Sequence, residues 1–117
     1  PASAKALARS TLDAMIEDYS SNRAEALFGH LETDMSGYLE YRERIRDTLL
    51  AQRQINLDII VDTVIEQGDN INVLAHWDKG WIDTATTHHL SKGRCELLFR
   101  RQGQRLRLRG LHGDSPF

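Results

Sequence analysis

The sequence has one cysteine, two prolines and few aromatic residues, which make up 7% of its 117 residues. The single cysteine, Cys95, excludes an intrachain disulfide and a zinc site built from several cysteines, and it leaves the redox compartment open. No apolar run approaches the roughly 20 residues of a membrane-spanning helix, so we expect no membrane span. The first residue is Pro1 rather than Met, which leaves open a longer precursor with an export signal.

An excess of one charge sign is also missing. The 15 basic and 17 acidic residues give a formal charge of -2, so no long-range field attracts a polyanion or an anionic membrane. Hydrophobic residues at 40% and charged residues at 27% are typical of a globular chain rather than a disordered one. The length predicts one domain over residues 1–117.

The first half of the chain has the periodicity of helices. Between residues 4 and 19 the apolar side chains recur at spacings of three and four, which predicts an amphipathic helix. A second, shorter helix is predicted over residues 24–31. Ser36 is predicted to cap a third helix that runs to about Arg53.

After Arg53 the apolar period changes from 3.6 to 2, which indicates strands. The predicted strands are residues 55–66, 71–82, 94–101 and 105–109. Turn formers at 67–70 make the first two a hairpin. The stretch from Asp83 to Gly93 is the longest predicted connection, although residues 84–87 could extend the strands on either side. The sequence thus predicts an α+β fold in which helices cover one face of a curved antiparallel sheet of about four strands.

Alternation along the strands also assigns the two sheet faces. The odd-numbered residues, from Leu57 through Ile65 and including Trp77, are expected to face the helices. Their even-numbered neighbours, among them Asp58, Asp62 and Asp78, are expected to face solvent.

The order of elements resembles a known superfamily. The resemblance rests on the opening helix through Tyr19, the short helix that follows, and the hairpin of residues 72–81. It rests also on the ending with Gly93-Arg-Cys-Glu-Leu-Leu-Phe-Arg-Arg, Arg105-Leu-Arg-Leu-Arg and Gly113-Asp-Ser-Pro-Phe. These features are similar to the nuclear transport factor 2-like superfamily, a cystatin-like α+β cone with a pocket between helix and sheet. Little room remains between Leu31 and Ser36 for the early strand and loops that cover the pocket of enzymatic members, which argues against an enclosed cavity.

Four aromatic residues are the candidates for a ligand site, namely Tyr19, Trp77, Trp81 and Phe99. A small apolar ligand would contact their rings in the cone, and the alternative is that these rings only fill the core. Isomerases with this fold pair a tyrosine with buried carboxylates. Here the acids are expected on the solvated face, so no catalytic residue is predicted.

Two other kinds of site are weighed and set aside. His76, Asp78 and one of His88 and His89 could bind zinc, but their spacing is not diagnostic, so no metal and no cofactor is expected. The arginines of the last two strands share a face with acids, which cancel the field that nucleic acid requires, so nucleic acid is not expected as a partner.

The outer sheet face is predicted to carry four apolar residues among its charges, namely Ile60, Val64, Leu74 and Leu98. Such residues on an open sheet indicate a partner, and the resemblance implies a homodimer through the sheet. We therefore expect an uncharacterised bacterial domain that binds a small apolar molecule or a protein partner without catalysis. The alternative is a small isomerase, dehydratase or cyclase. Similar bacterial domains occur in exported proteins, which favours the periplasm or cell envelope over the cytoplasm.

Overall fold

The computed structural model describes residues 3–117, and residues 1 and 2 of the predicted domain lie outside this part. Within residues 3–117 the elements are α1 (Ala4–Ser20), α2 (Ala24–Phe28), α3 (Tyr38–Ala51), β1 (Arg53–Gln67), β2 (Asn70–Ile82), β3 (His88–Gln102) and β4 (Arg105–Gly113). The strands form one antiparallel sheet in the order β1-β2-β3-β4. The predicted α+β architecture is confirmed.

Helix α1 packs along the inner face of the sheet. Ser3 caps it by accepting a hydrogen bond from the Ala6 N–H at 3.1 Å, as serine does at helix starts. The apolar stripe predicted from the sequence is buried from Leu7 to Tyr19. Arg9 fixes the helix to β1 by donating to the Ile59 carbonyl oxygen at 2.9 Å. No helix in residues 3–117 has the length and apolar character needed to cross a membrane.

Helix α3 begins later than the sequence predicted. Its N-cap is Gly37, and the predicted cap by Ser36 is wrong. Gly37 has a φ of 71°, in the left-handed region that glycine adopts without a steric cost. The backbone therefore turns into the helix at the glycine rather than at the serine.

A short bridge after α2 protects the free edge of β4. The Leu108 N–H donates to the His30 carbonyl at 2.8 Å, and the Glu32 N–H donates to the Leu108 carbonyl at 2.8 Å. Leu31 is thereby paired with Leu108 in a parallel bridge, which explains why α2 stops before the predicted end at Leu31. Covering an edge in this way removes a site for unwanted strand pairing.

The connection between β2 and β3 is much shorter than predicted. One carboxylate oxygen of Asp83 accepts hydrogen bonds from the Ala85 and Thr87 N–H groups, each at 2.9 Å. Such side-chain turns compact a loop, so β3 begins at His88. The prediction of a connection that reaches Gly93 is wrong.

A bulge in β1 changes which residues face the helices. The pairing with β2 shifts between Val61 and Thr63, so Asp62 is an extra residue on this strand. One inserted residue exchanges the two faces for the rest of the strand.

The residues after this bulge therefore lie on the opposite face from that predicted. Val64 packs against the core, and Ile65 is exposed opposite Asn72, which lies on the outer face. The prediction that Val64 shares the outer face with Ile60 is wrong, because the alternation was extended through the bulge. A second register shift, between Leu98 and Phe99, brings Leu108 rather than Arg109 opposite Phe99.

Candidate functional site

Near its C-terminal end, strand β2 directs three large side chains toward the helices. Lys79 lies between Trp77 and Trp81 in this inward row and is 7% exposed. Its Nζ is 5.9 Å from the ring centre of Trp77 and 5.1 Å from that of Trp81. Tyr19, from α1, closes a third side: Nζ lies 5.2 Å from its ring centre and donates to its hydroxyl oxygen at 2.9 Å. We call these four residues the lysine cage.

The cage changes the acid–base properties of its two polar groups. Burial lowers the pKa of Lys79 from 10.5 to about 8, because the ammonium loses hydration. Burial also raises the pKa of Tyr19, which keeps its hydroxyl neutral. That hydroxyl donates to Gln52 Oε1 at 3.3 Å, so Lys79, Tyr19 and Gln52 form a hydrogen-bonded chain.

The lowered pKa of Lys79 predicts that stability rises with pH. Between the folded pKa of about 8 and the unfolded value of 10.5, the unfolded chain binds more protons, so raising the pH favours folding. From about pH 7 to about pH 9.5 we expect the free energy of unfolding to increase by about 1 to 2 kcal/mol relative to Lys79→Met. Urea unfolding of both proteins at both pH values measures this. The same pH response in the two proteins would contradict the lowered pKa.

His89 and Asp83 hold the Trp81 ring in place from outside the cage. The His89 ring stacks on Trp81 with centroids 5.2 Å apart and an interplanar angle of 11°. His89 Nε2 lies 2.7 Å from Asp83 Oδ2, and this hydrogen bond lowers the pKa of Asp83. Trp81 is therefore positioned by the same aspartate that shortens the β2–β3 connection.

The end of the chain packs against the cage from another side. The Trp77 indole N–H donates to the Asp114 carbonyl at 2.9 Å, and the Phe117 ring meets Tyr19 edge-on at 5.4 Å. This approach requires Gly93, because a Cβ at that position would lie 2.7 Å from Asp114 Cβ and 2.8 Å from the Trp77 ring. Three segments distant in sequence therefore build one site.

The four residues predicted to bind a ligand differ in accessibility. Tyr19 and Phe99 have no exposed surface, and Trp77 is 5% exposed. Only Trp81 is half-buried. Tyr19, Trp77 and Trp81 come together around Lys79, which the sequence analysis missed. The sequence contained this information, because residue 79 lies between the inward-facing residues 77 and 81 on the same strand.

Three acidic residues of β1 and β2 lie on the outer face. Asp58 pairs with Asp78 across the two strands, and both are exposed. Asp62 Oδ2 lies 2.9 Å from His76 Nδ1, also on that face. These carboxylates are separated from the Tyr19 hydroxyl by the sheet, so none can act with it on one substrate.

The outer face carries a diagonal of apolar residues. Ile60 pairs with His76, Leu74 with Glu96, and Leu98 with Gly110. Each step from Ile60 to Leu74 to Leu98 therefore moves one strand across and two residues along. Ile60 is 47% and Leu74 39% exposed, and Leu98 is half-buried. We call these three residues the apolar diagonal.

Opposite charges flank the two ends of the apolar diagonal. Beyond Ile60 lies an acidic corner, in which Asp58, Asp62 and Asp78 outnumber the one cation, Lys92, opposite Asp78. Beyond Leu98 lies a basic corner on β4, made of Arg105, Arg107 and Arg109. An open groove of about 480 Å³ crosses the acidic corner and is lined in part by Leu90, which is 91% exposed.

His76 and His89, which the sequence analysis weighed as metal ligands, each pair with a different aspartate. His76 contacts Asp62 on the outer face, and His89 contacts Asp83 beside the lysine cage. No group of three histidine, cysteine or acidic side chains within residues 3–117 is arranged to hold a metal ion.

Solved structures identify the class of fold. The chain has the nuclear transport factor 2-like fold, an α+β cone. It is similar to a candidate dehydratase of this family from Streptomyces avermitilis, with a TM-score of 0.83, 15% identity and 97% of each chain covered. It is also similar to a superfamily protein from Salmonella enterica, with a TM-score of 0.80, 11% identity and 97% and 92% covered.

A ketosteroid isomerase-like protein from Erwinia carotovora is similar as well, with a TM-score of 0.76, 12% identity and 92% of each chain covered. No family model and no curated protein matches the chain in sequence. At these identities the likeness shows the fold alone.

Proposed function

We propose that this chain is a non-enzymatic binding domain whose outer sheet face binds a second copy of itself. The observation that carries the proposal is the apolar diagonal, exposed between corners of opposite charge. Apolar residues grouped on an open face favour an interface. Complementary charges around them favour one orientation over others.

The charge pattern of the outer face is complementary to itself. In a face-to-face dimer the twofold axis lies in the contact plane. An axis perpendicular to the apolar diagonal places the acidic corner of one copy over the basic corner of its partner, twice. Leu74 then lies near the axis and meets its own counterpart, as the isologous contact of a twofold dimer requires.

The outer face is large enough for a stable dimer. Four strands at a spacing of ~4.8 Å, with about ten residues at ~3.3 Å each, give a face of roughly 600 Å² before side-chain relief is added. Standard protein interfaces bury about 800 Å² on each partner. The twofold axis perpendicular to the apolar diagonal is oblique to the strands, so the two sheets cross at a large angle. This is one of the two common sheet packings.

The alternative function, a small isomerase, dehydratase or cyclase, has weaker support. It requires a carboxylate that can share a substrate with the Tyr19 hydroxyl. Asp58, Asp62 and Asp78 are on the other side of the sheet. Binding of a small apolar molecule is supported only at Trp81, because the other three predicted ligand residues have little or no exposed surface.

A charge placed in the middle of the interface tests the dimer. We expect the natural chain to sediment at about twice its mass of 13.4 kDa, and Leu74→Lys to associate at least about tenfold more weakly, because two ammonium groups would meet at the axis. Leu39→Lys is the matched control, since Leu39 is 66% exposed on α3. A monomeric natural chain, or a Leu74→Lys variant of undiminished mass, would reject this surface.

A further inference from the structure

Lys79 is an amine buried among aromatic rings. Its Nζ has one hydrogen bond, to the Tyr19 hydroxyl, and its other neighbours are the faces of aromatic rings. Among residues 3–117 no carboxylate contributes to its titration, and desolvation alone lowers its pKa. Neither the fold nor the self-association of the outer face requires a lysine at this inward position.

An amine in such surroundings is more nucleophilic than a surface lysine. At about pH 7.5 a lysine with a pKa near 8 is neutral in roughly a quarter of the molecules, and one with an ordinary pKa in roughly one molecule in a thousand. Only the neutral amine attacks carbonyl carbon, and burial among apolar groups is a known route to reactive lysines. The cage therefore holds an amine that is prepared for covalent chemistry.

We propose that Lys79 is a covalent binding site for small apolar aldehydes, which it captures as an imine. The Nζ lone pair attacks the carbonyl carbon and forms a C–N bond, while the carbonyl oxygen becomes a hydroxyl. The hydroxyl then leaves as water, which carries away both hydrogens of the neutral amine, and the C=N bond forms. No oxidant, reductant or further reactant is needed.

The walls of the cage select the ligand class. The rings of Trp77, Trp81 and Tyr19 surround Nζ, so the group attached to the carbonyl meets apolar surface. Imine formation removes a buried positive charge, which lowers the desolvation cost that the folded chain bears. Trp81 is the half-buried wall, and the ligand enters by displacing it. A ligand that moves one indole must be small.

The chain offers a direct test because it has only three lysines, namely Lys5, Lys79 and Lys92. The probe is butanal with cyanoborohydride, which reduces the imine to a stable secondary amine, at about pH 7.5. Peptide mapping by mass spectrometry separates the three lysines from the α-amino group. We expect Lys79 to be labelled at least about tenfold faster than Lys5 and Lys92, which are both exposed.

Two further measurements show that the reactivity belongs to the folded cage. In denaturing guanidinium chloride the three lysines should react at equal rates. Trp81→Ala, which opens the half-buried wall, should accelerate labelling of Lys79 several-fold and leave Lys5 unchanged. Labelling of Lys79 that is no faster than that of Lys5 in the folded chain would overturn the proposal, as would a preference for Lys79 that persists after denaturation.

Discussion

Trp77→Ala is expected to lower the free energy of unfolding by about 3 to 5 kcal/mol. The ring is 5% exposed and forms one wall of the lysine cage, so its removal leaves a cavity in a packed region. The substitution also removes the indole N–H that donates to the Asp114 carbonyl. That carbonyl belongs to the terminal segment that ends at Phe117, which packs on Tyr19.

Urea unfolding measures this loss as a lower midpoint at an unchanged slope. Trp81→Ala is the matched control, because this indole is half-buried and keeps one face on His89. We expect the control to lose about 1 to 2 kcal/mol. A loss below about 1 kcal/mol for Trp77→Ala would contradict its position in the core.

The change of period near Arg53 was enough to predict the layers of the fold. A period of 3.6 before it and of 2 after it assigned α1 and the β1–β2 hairpin. The helix boundaries were predicted less accurately because they depend on the conformation or pairing of single residues. Gly37 starts α3 through its positive φ, and the bridge of Leu31 to Leu108 ends the α2 region. Neither the positive φ of Gly37 nor the bridge follows from local periodicity.

Alternation failed where a strand contains an extra residue. The bulge at Asp62 moves Val64 to the inner face and Ile65 to the outer face. Ile60 precedes the bulge in β1, and Leu74 lies on β2, whose own alternation the extra residue of β1 leaves unchanged, so their predicted outward positions hold. Bulges are set by how two strands accommodate twist and curvature, which a single sequence does not reveal.

The candidate site was predicted only in part. Tyr19, Trp77 and Trp81 were recognised as aromatic residues of the cone interior, but Lys79 was not, because a charged residue is normally exposed. Its burial depends on two rings of its own strand and on Tyr19 of the distant α1, whose hydroxyl accepts its hydrogen bond. The inward direction of Lys79 follows from its odd number within β2. The lowered pKa of its amine does not follow from the sequence.

Charge reversal at the two corners of the outer face should have the largest effect on association. Asp58→Lys with Asp78→Lys makes both corners basic, and Arg105→Glu with Arg107→Glu makes both acidic. In a dimer of either variant, both corner contacts bring like charges together. We therefore expect roughly hundredfold weaker dimers at low salt. Raising the salt concentration should reduce the difference from the natural chain.

Mixing the two charge-reversed variants tests the central claim most directly. In a mixed dimer the basic β1 and β2 corner of one chain faces the acidic β4 corner of the other. At the second contact the basic β4 corner of the first chain faces the acidic β1 and β2 corner of the second, so both contacts are attractive. We predict that sedimentation equilibrium finds each variant alone near 13.4 kDa and the equimolar mixture near twice that mass. A mixture that stays at the monomer mass, or variants that dimerise alone as well as the natural chain does, would contradict self-association through the outer face.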